Sequence, residues 1–170
     1  LAEQSGIINE IGRWVLEQAC EDRRRWADRH QTGDMALSVN VSAHQLMSPD
    51  FAASVEDVIV AAQTDPALVT LEVTEAVFLN DSERALVVLN DLKDLGLTLA
   101  LDDFGTGYSS LSYLRAFPVD LVKIDKTFVA ELGRDKASRA IVSAVVGLAH
   151  ALGLFVVAEG VETATQYREV

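Results

Sequence analysis

The chain has 170 residues, 49% of them hydrophobic, with three prolines and a formal net charge of −12. That length builds one core and is short for two domains, and the composition excludes a disordered chain. The charge excludes DNA or RNA polymers as partners, because neutralising a run of phosphates needs a basic surface. A small phosphorylated ligand stays compatible with it if metal ions bridge the acids to the phosphates.

The longest apolar runs, such as residues 152–158, are far too short to span a bilayer. Leu1-Ala2-Glu3-Gln4 is neither basic nor apolar enough for a signal peptide. The lone Cys20 excludes an internal disulfide and fits a reducing, cytoplasmic compartment. Its neighbours Trp14, Leu16 and Ala19 mark it as a buried structural thiol. Arg23-Arg24-Arg25 follows Glu21-Asp22 on a helical pattern and reads as a solvated face.

In chain order, Ile7, Ile8, Ile11, Trp14, Val15 and Ala19 recur at helical spacing and predict a helix to about Trp26. A strand is expected over residues 36–42. Ser48-Pro49-Asp50 reads as a cap with proline in the first turn, opening a helix through Ala62. Asp65-Pro66 ends it, and a strand follows over residues 69–74. Asp81-Ser82 caps a helix that Gly96 closes. Next come a strand over residues 97–101, the loop Phe104-Gly105-Thr106-Gly107, and a short helix around residues 109–115. Pro118 starts a strand over residues 119–124. A helix from about Lys136 to Leu152 ends at Gly153, a strand covers residues 154–158, and a last helix begins near Glu162.

Strands that alternate with helices imply parallel pairing and right-handed crossovers. An open doubly wound sheet and a (β/α) barrel both fit. An open sheet feeds its ligand mainly from two neighbouring strand ends. Here each strand ends in polar or charged residues: Asn40, then Glu72 and Glu75, Asp102 and Asp103, Lys123 and Asp125, and Glu159. A barrel gathers all its strand ends at one mouth, so the barrel is the better fit. Ser38, Asn40 and Ser42 share one strand face, as do Thr70, Glu72 and Thr74. A full barrel needs eight strands, and about five strand–helix units are visible, so an incomplete barrel is expected.

A carboxylate at the end of an apolar strand is costly unless something pairs with it. Asp102-Asp103 is the sharpest case, because adjacent aspartates repel each other. Two divalent ions about 4 Å apart, bridged by one carboxylate, would compensate; a turn or helix cap is the plainer reading. Asn40 and Glu72 supply matching oxygen ligands, and an oxygen-only set favours Mg²⁺ or Mn²⁺ over Zn²⁺. Lys123 in an apolar strand calls for a nearby carboxylate or phosphate, unless it snorkels from the sheet edge. Glu159 either takes a proton from a water or forms a salt bridge to Lys123. Gly105-Thr106-Gly107 is by itself a weak phosphate-loop signal. His30, His44 and His150 are scattered, and Ser109, Ser110 and Ser112 have no His–Asp arrangement near them in sequence.

Five strings now bear a family resemblance. They are Ser38-Val39-Asn40-Val41-Ser42, Leu71-Glu72-Val73-Thr74-Glu75, Asp102-Asp103-Phe104-Gly105-Thr106-Gly107-Tyr108-Ser109-Ser110-Leu111, Val122-Lys123-Ile124-Asp125 and Ala158-Glu159-Gly160-Val161-Glu162-Thr163. In this order they resemble the EAL domain, a family of bacterial cyclic di-GMP phosphodiesterases. The resemblance implies a (β/α)8 TIM-like barrel with one antiparallel strand, and hydrolysis of cyclic di-GMP to the linear dinucleotide with two Mg²⁺ or Mn²⁺ ions. By motif match Asn40, Glu72 and Asp102 correspond to ligands of one metal, and Asp102 and Asp103 to ligands of the second. Lys123 corresponds to the lysine near the attacking water, and Glu159 to a general base or second-metal ligand. Glu75 corresponds to the residue anchoring the Asp-Phe-Gly loop, which in the family couples dimerisation to metal binding.

The Glu-Ala-Leu string that names the family is absent, as is its late glutamine motif. The expectation is therefore a single partial EAL domain over residues 1–170, without the N-terminal Glu-Ala-Leu segment and the C-terminal part. Such a piece is expected to bind metal weakly, to turn over little substrate and to pair as a homodimer. Fused sensory or cyclase domains are expected in the parent protein. The alternative is a non-catalytic EAL-type module that binds cyclic di-GMP or a protein partner. Degenerate members of that class lose metal-site acids, whereas here Asn40, Glu72, Asp102, Asp103, Lys123 and Glu159 are all present.

Overall fold

Strand β1 (Leu37–Val41) pairs in parallel with β2 (Val69–Thr74), with Asn40 level with Glu72. The structure is a computed structural model and describes residues 2–30, 33–77, 81–105 and 111–170. The chain divides into two compact units, Leu1–Leu99 and Ala100–Val170.

In the first unit, a short helix α1 (Ala2–Ser5) precedes the long α2 (Ile8–His30). Helix α2 packs on β1 and on α4 (Phe51–Ala61). The alternation of β1 explains this: Val39 and Val41 are buried, while Ser38 and Asn40 occupy the other face and are exposed. Leu16 and Cys20 of α2 are buried, as are Val55, Val58 and Ile59 of α4. Burial pushes the Cys20 thiol up from its ordinary value, which fits an inert structural cysteine. Arg23, expected on a solvated face, is buried and donates to the carbonyls of Met35 at 2.6 Å and Gly33 at 2.9 Å. It ties the end of α2 to the chain entering β1. Helix α5 (Ser82–Asp94) opens with the Asp81 side chain accepting from the Arg84 amide. It closes at Gly96, whose φ of +91° is easy only for glycine.

Several boundaries differ from the sequence expectation. A four-residue helix α3 (Ala43–Leu46) follows β1, closed by a reciprocal capping box between Ser42 and Gln45. It occupies the run before Ser48, so α4 begins at Phe51 rather than with Pro49 in its first turn. Its N-cap, Asp50, makes no side-chain cap hydrogen bond. Helix α2 also continues four residues past Trp26, to His30.

Strand β3 (Thr98–Phe104) runs into the second unit and outlasts its predicted end at Leu101. There β4 (Leu121–Ile124) lies between β3 and β5 (Phe155–Ala158), parallel to both. Helix α6 (Leu111–Ala116) leads into β4, and the five-residue α7 (Lys126–Ala130) leaves it. Helix α8 (Lys136–Ala151) packs on β4, β5 and α7. Ile124, Val129, Leu132 and Val142 form the buried cluster there, with Phe128, Val156 and Ala158 against it. The last helix is α9 (Ala164–Glu169), capped by Thr163. The expected Phe104 loop residue belongs to β3, and 106–110 lie outside the described residues. Among the described residues no helix is long and apolar enough to cross a membrane.

Helix α8 offers a test of local electrostatics. The Asp135 carboxylate accepts from the Ser138 amide at 2.7 Å and the Ser138 hydroxyl at 2.8 Å. The Ser138 amide, then its hydroxyl, holds Asp135 below its ordinary value. A depressed carboxylate stabilises the fold above its unfolded pKa, and that gain is lost as pH falls through the folded value. Asp135→Ala should therefore lower the melting temperature at pH 7. The gap between variant and parent should close as the pH drops below the ordinary Asp range. A gap that widens on acidification would contradict the cap.

Candidate metal centre

Adjacent residues of a regular strand point to opposite faces, so Asp102 and Asp103 should diverge. The structure turns them together. Between Leu101 and Phe104 the β3–β4 register slips: Leu101 faces Val122, while Phe104 faces Ile124. One extra residue is thus inserted on β3, a bulge that re-aims side chains. Asp103 sits in it with φ +54°, a left-handed conformation that aspartate tolerates better than most residues. Its amide donates to Asp102 Oδ1 at 3.0 Å, so one carboxylate steadies the turn that positions the other.

Glu159 arrives from the end of β5, its amide bonded to the Ile124 carbonyl at 3.1 Å. Oxygens of Asp102, Asp103 and Glu159 all lie within 4.8 Å of one another. Lys123 reaches into this group from β4. Its Nζ is 3.0 Å from Asp102 Oδ1 and 2.7 Å from Glu159 Oε1. The lysine does not snorkel: only 12% of its side chain is exposed. Gly160 follows Glu159 with φ +69°, and a Cβ there would lie 2.8 Å from Lys126 Cβ. Bulkier residues are therefore disfavoured beside Glu159.

Partial desolvation first, and then the charges of Asp102, Asp125 and Glu159, raise the Asp103 carboxyl above its ordinary value. Asp125 behaves oppositely. The Thr127 side chain, then its backbone N–H, hold it below the usual carboxylate range. Three carboxylates and one ammonium leave the group around Lys123 with an excess of two negative charges. An all-oxygen, negative, half-buried cluster fits a hard divalent cation such as Mg²⁺, Mn²⁺ or Ca²⁺.

The first unit contributes its own pair. Level on parallel neighbours, Asn40 and Glu72 occupy the same strand face. Glu72 is buried and Asn40 exposed. Glu75 lies in the turn after β2; the loop it was expected to anchor starts at Asp103-Phe104-Gly105 and continues into 106–110, which lie outside the described residues. Sequence reasoning assigned no role to Thr127 or Phe128. The only signal was an Asp followed two residues later by Thr, a short capping turn at the end of a strand.

The family model described as EAL domain matches residues 1–170. The chain is 43% identical over 166 residues to the bifunctional diguanylate cyclase/cyclic di-GMP phosphodiesterase MucR of Pseudomonas aeruginosa, covering 98% of this chain and 24% of that protein. It is 39% identical over 166 residues to the signaling protein YkoW of Bacillus subtilis, covering 98% of this chain and 20% of that protein. The chain thus spans less than a quarter of the length of both curated relatives. Among solved structures, it is similar to the MucR phosphodiesterase in its cyclic di-GMP complex, with TM-score 0.92 and 43% identity, over 99% of this chain and 68% of that one. It is also similar to the manganese and cyclic di-GMP complex of Klebsiella pneumoniae BlrP1, with TM-score 0.80 and 32% identity, over 95% of this chain and 40% of that one. The α/β strand–helix series described above is therefore part of the TIM-like barrel of these proteins.

Proposed function

This chain belongs to the EAL domain family, and we propose that within a longer protein it hydrolyses cyclic di-GMP to the linear dinucleotide with the help of divalent metal. The observation that carries the proposal is the carboxylate group Asp102, Asp103 and Glu159 with Lys123 set among it. An ordinary structural ion pair needs one carboxylate per lysine. Here a strained bulge brings in more acids than the lysine neutralises.

Asp102 and Asp103 would hold the cation, with Glu159 beside them; Asn40 and Glu72 are proposed as oxygen ligands by motif match. A divalent ion bound there supplies charge stabilisation for a phosphodiester oxygen and lowers the pKa of water. The reaction adds water at one phosphorus, breaks one ester P–O bond, and delivers a proton to the departing ribose oxygen. Glu159 is suited to accept the water's proton, and Lys123 fixes its carboxylate through the 2.7 Å contact. The ammonium can also stabilise negative charge that grows on phosphate oxygens. Glu75 is proposed as a loop-anchoring residue by motif match, and a symmetric dimer is the proposed assembly.

Incubating the full-length protein with cyclic di-GMP and Mn²⁺, then with EDTA, tests the reading. Linear dinucleotide should form, stop on chelation and resume when Mn²⁺ is restored in excess. Tight binding of cyclic di-GMP with no turnover under Mg²⁺ or Mn²⁺ would instead mean a non-catalytic binding module.

A further inference from the structure

We propose that Gln166 is a positioning residue for Glu159, acting through the loop 159–163 that joins β5 to α9. The inference rests on reading Glu159 as the group that accepts the water's proton, and extends that reading to a side chain outside the carboxylate group.

Residues 160–165 are all exposed, as are Tyr167 and Arg168, yet Gln166 between them is buried, with 8% of its surface exposed. A buried side-chain amide is costly unless its polar atoms are bonded. Its Oε1 accepts from the Glu162 and Thr163 amides, each at 2.8 Å, and from the Thr163 hydroxyl at 3.0 Å. The Thr163 hydroxyl oxygen in turn accepts from the Gln166 amide at 3.2 Å. The capping box of α9 needs only the bonds with Thr163. The bond to Glu162 lies outside the helix and reaches back toward Glu159.

Gln166 is itself anchored. A Cβ on Gly133 would sit 2.8 Å from Thr165 Cγ2, so the first turn of α9 lies against the chain between α7 and α8. At the other end of α9, Glu169 pairs with Arg139 of α8 at 2.9 Å. Helix α9 is thus a fixed support for the loop. The loop meets the sheet where the Glu159 amide donates to the Ile124 carbonyl at 3.1 Å. Between these two anchors lie Gly160, with φ +69°, and Val161. A glycine adds no stiffness, and exposed backbone opens readily unless hydrogen bonds hold it. Without the Gln166 oxygen, the backbone carrying Glu159 is held from the β4 side alone. The carboxylate then wanders about its 2.7 Å contact with Lys123.

The test uses the full-length protein, Q166M and Q166E. Methionine fills similar volume and removes the acceptor, and the freed amides at exposed positions 162 and 163 turn to water. Glutamate keeps the acceptor and completes the same capping box. Residue-resolved amide exchange, kcat and KM for cyclic di-GMP at saturating Mn²⁺, and melting temperature are read. Loss of the acceptor alone exposes the amides of Glu162 and Thr163. The proposal requires more: in Q166M the Glu159 amide should exchange faster as well, and kcat should fall about tenfold with KM little changed. Q166E should restore both. With an active parent, absence of either effect or of its rescue overturns the proposal, as does faster exchange throughout the domain with a lower melting temperature. Failure of the reading of Glu159 looks different, because the parent itself then forms no linear dinucleotide. Exchange of the Glu159 amide decides the proposal in that case: acceleration confined to Q166M supports it, and any other pattern refutes it.

Discussion

Asp102→Asn in the full-length protein is expected to cut cyclic di-GMP turnover by about a thousandfold or more. Asparagine keeps the shape of the side chain and its acceptor oxygen, so the 3.0 Å bond from the Asp103 amide can survive. What it loses is one unit of negative charge at the centre of the carboxylate group. A metal's stabilisation of transition-state charge is worth several kcal/mol, and each ~1.4 kcal/mol is a factor of ten in rate. The melting temperature without metal should change far less, because the bulge and its partners remain. Product formation followed by chromatography, with thermal denaturation as the control, measures both. Near-normal turnover by a folded Asp102→Asn variant under Mg²⁺ or Mn²⁺ would remove Asp102 from the proposed ligand set.

Lys123→Met should have the second large effect, and its sign depends on metal. The ammonium neutralises part of the repulsion among Asp102, Asp103 and Glu159, at 3.0 Å and 2.7 Å from the first and last of them. Methionine fills similar volume without charge. Stranding one side of a fully buried pair costs about 3–5 kcal/mol. Glu159 is 33% exposed, so screening reduces that here to about 1–3 kcal/mol. The metal-free variant should therefore melt several degrees lower. Added Mn²⁺ should raise its melting temperature more than that of the parent, since a cation now meets an uncompensated site. Turnover should fall strongly even when metal is saturating, because the fixed contact to Glu159 is gone. Equal melting temperatures for the two metal-free proteins would show that the ammonium is not what offsets the carboxylates.

Much of this arrangement was legible in the sequence because burial makes charge expensive. An aspartate pair or a lysine at the end of an apolar strand demands a partner, and the partners are present within the group. Strand β2 was readable to the residue because an apolar run is bounded by Pro66 on one side and acids on the other. The short pieces were not readable for a physical reason. Helices α3 and α7 span four and five residues, too few for any periodicity to show. Only their caps announce them: the Ser42–Gln45 box and the Asp125–Thr127 turn. Asp125 was instead read as one more strand-end acid. The bulge left no mark at all. It is usually flagged by glycine, and here the left-handed position belongs to Asp103. Arg23 failed differently, since a basic run on a helix reads as solvated while two backbone carbonyls bury this one arginine.

That bulge makes chain length a part of the chemistry. An unbulged strand of one residue fewer would restore an even pairing with β4, and Phe104 would keep its place opposite Ile124 only if one aspartate were removed outright. Deleting Asp103 would thus leave the sheet regular and the core beneath it filled. It would also return the remaining aspartate to ordinary alternation. Such a protein would be well folded and chemically silent, a state no single side-chain replacement at this position reaches as cleanly. On the proposed reading, the extra residue separates a scaffold from a site, and its cost is one left-handed backbone position at Asp103.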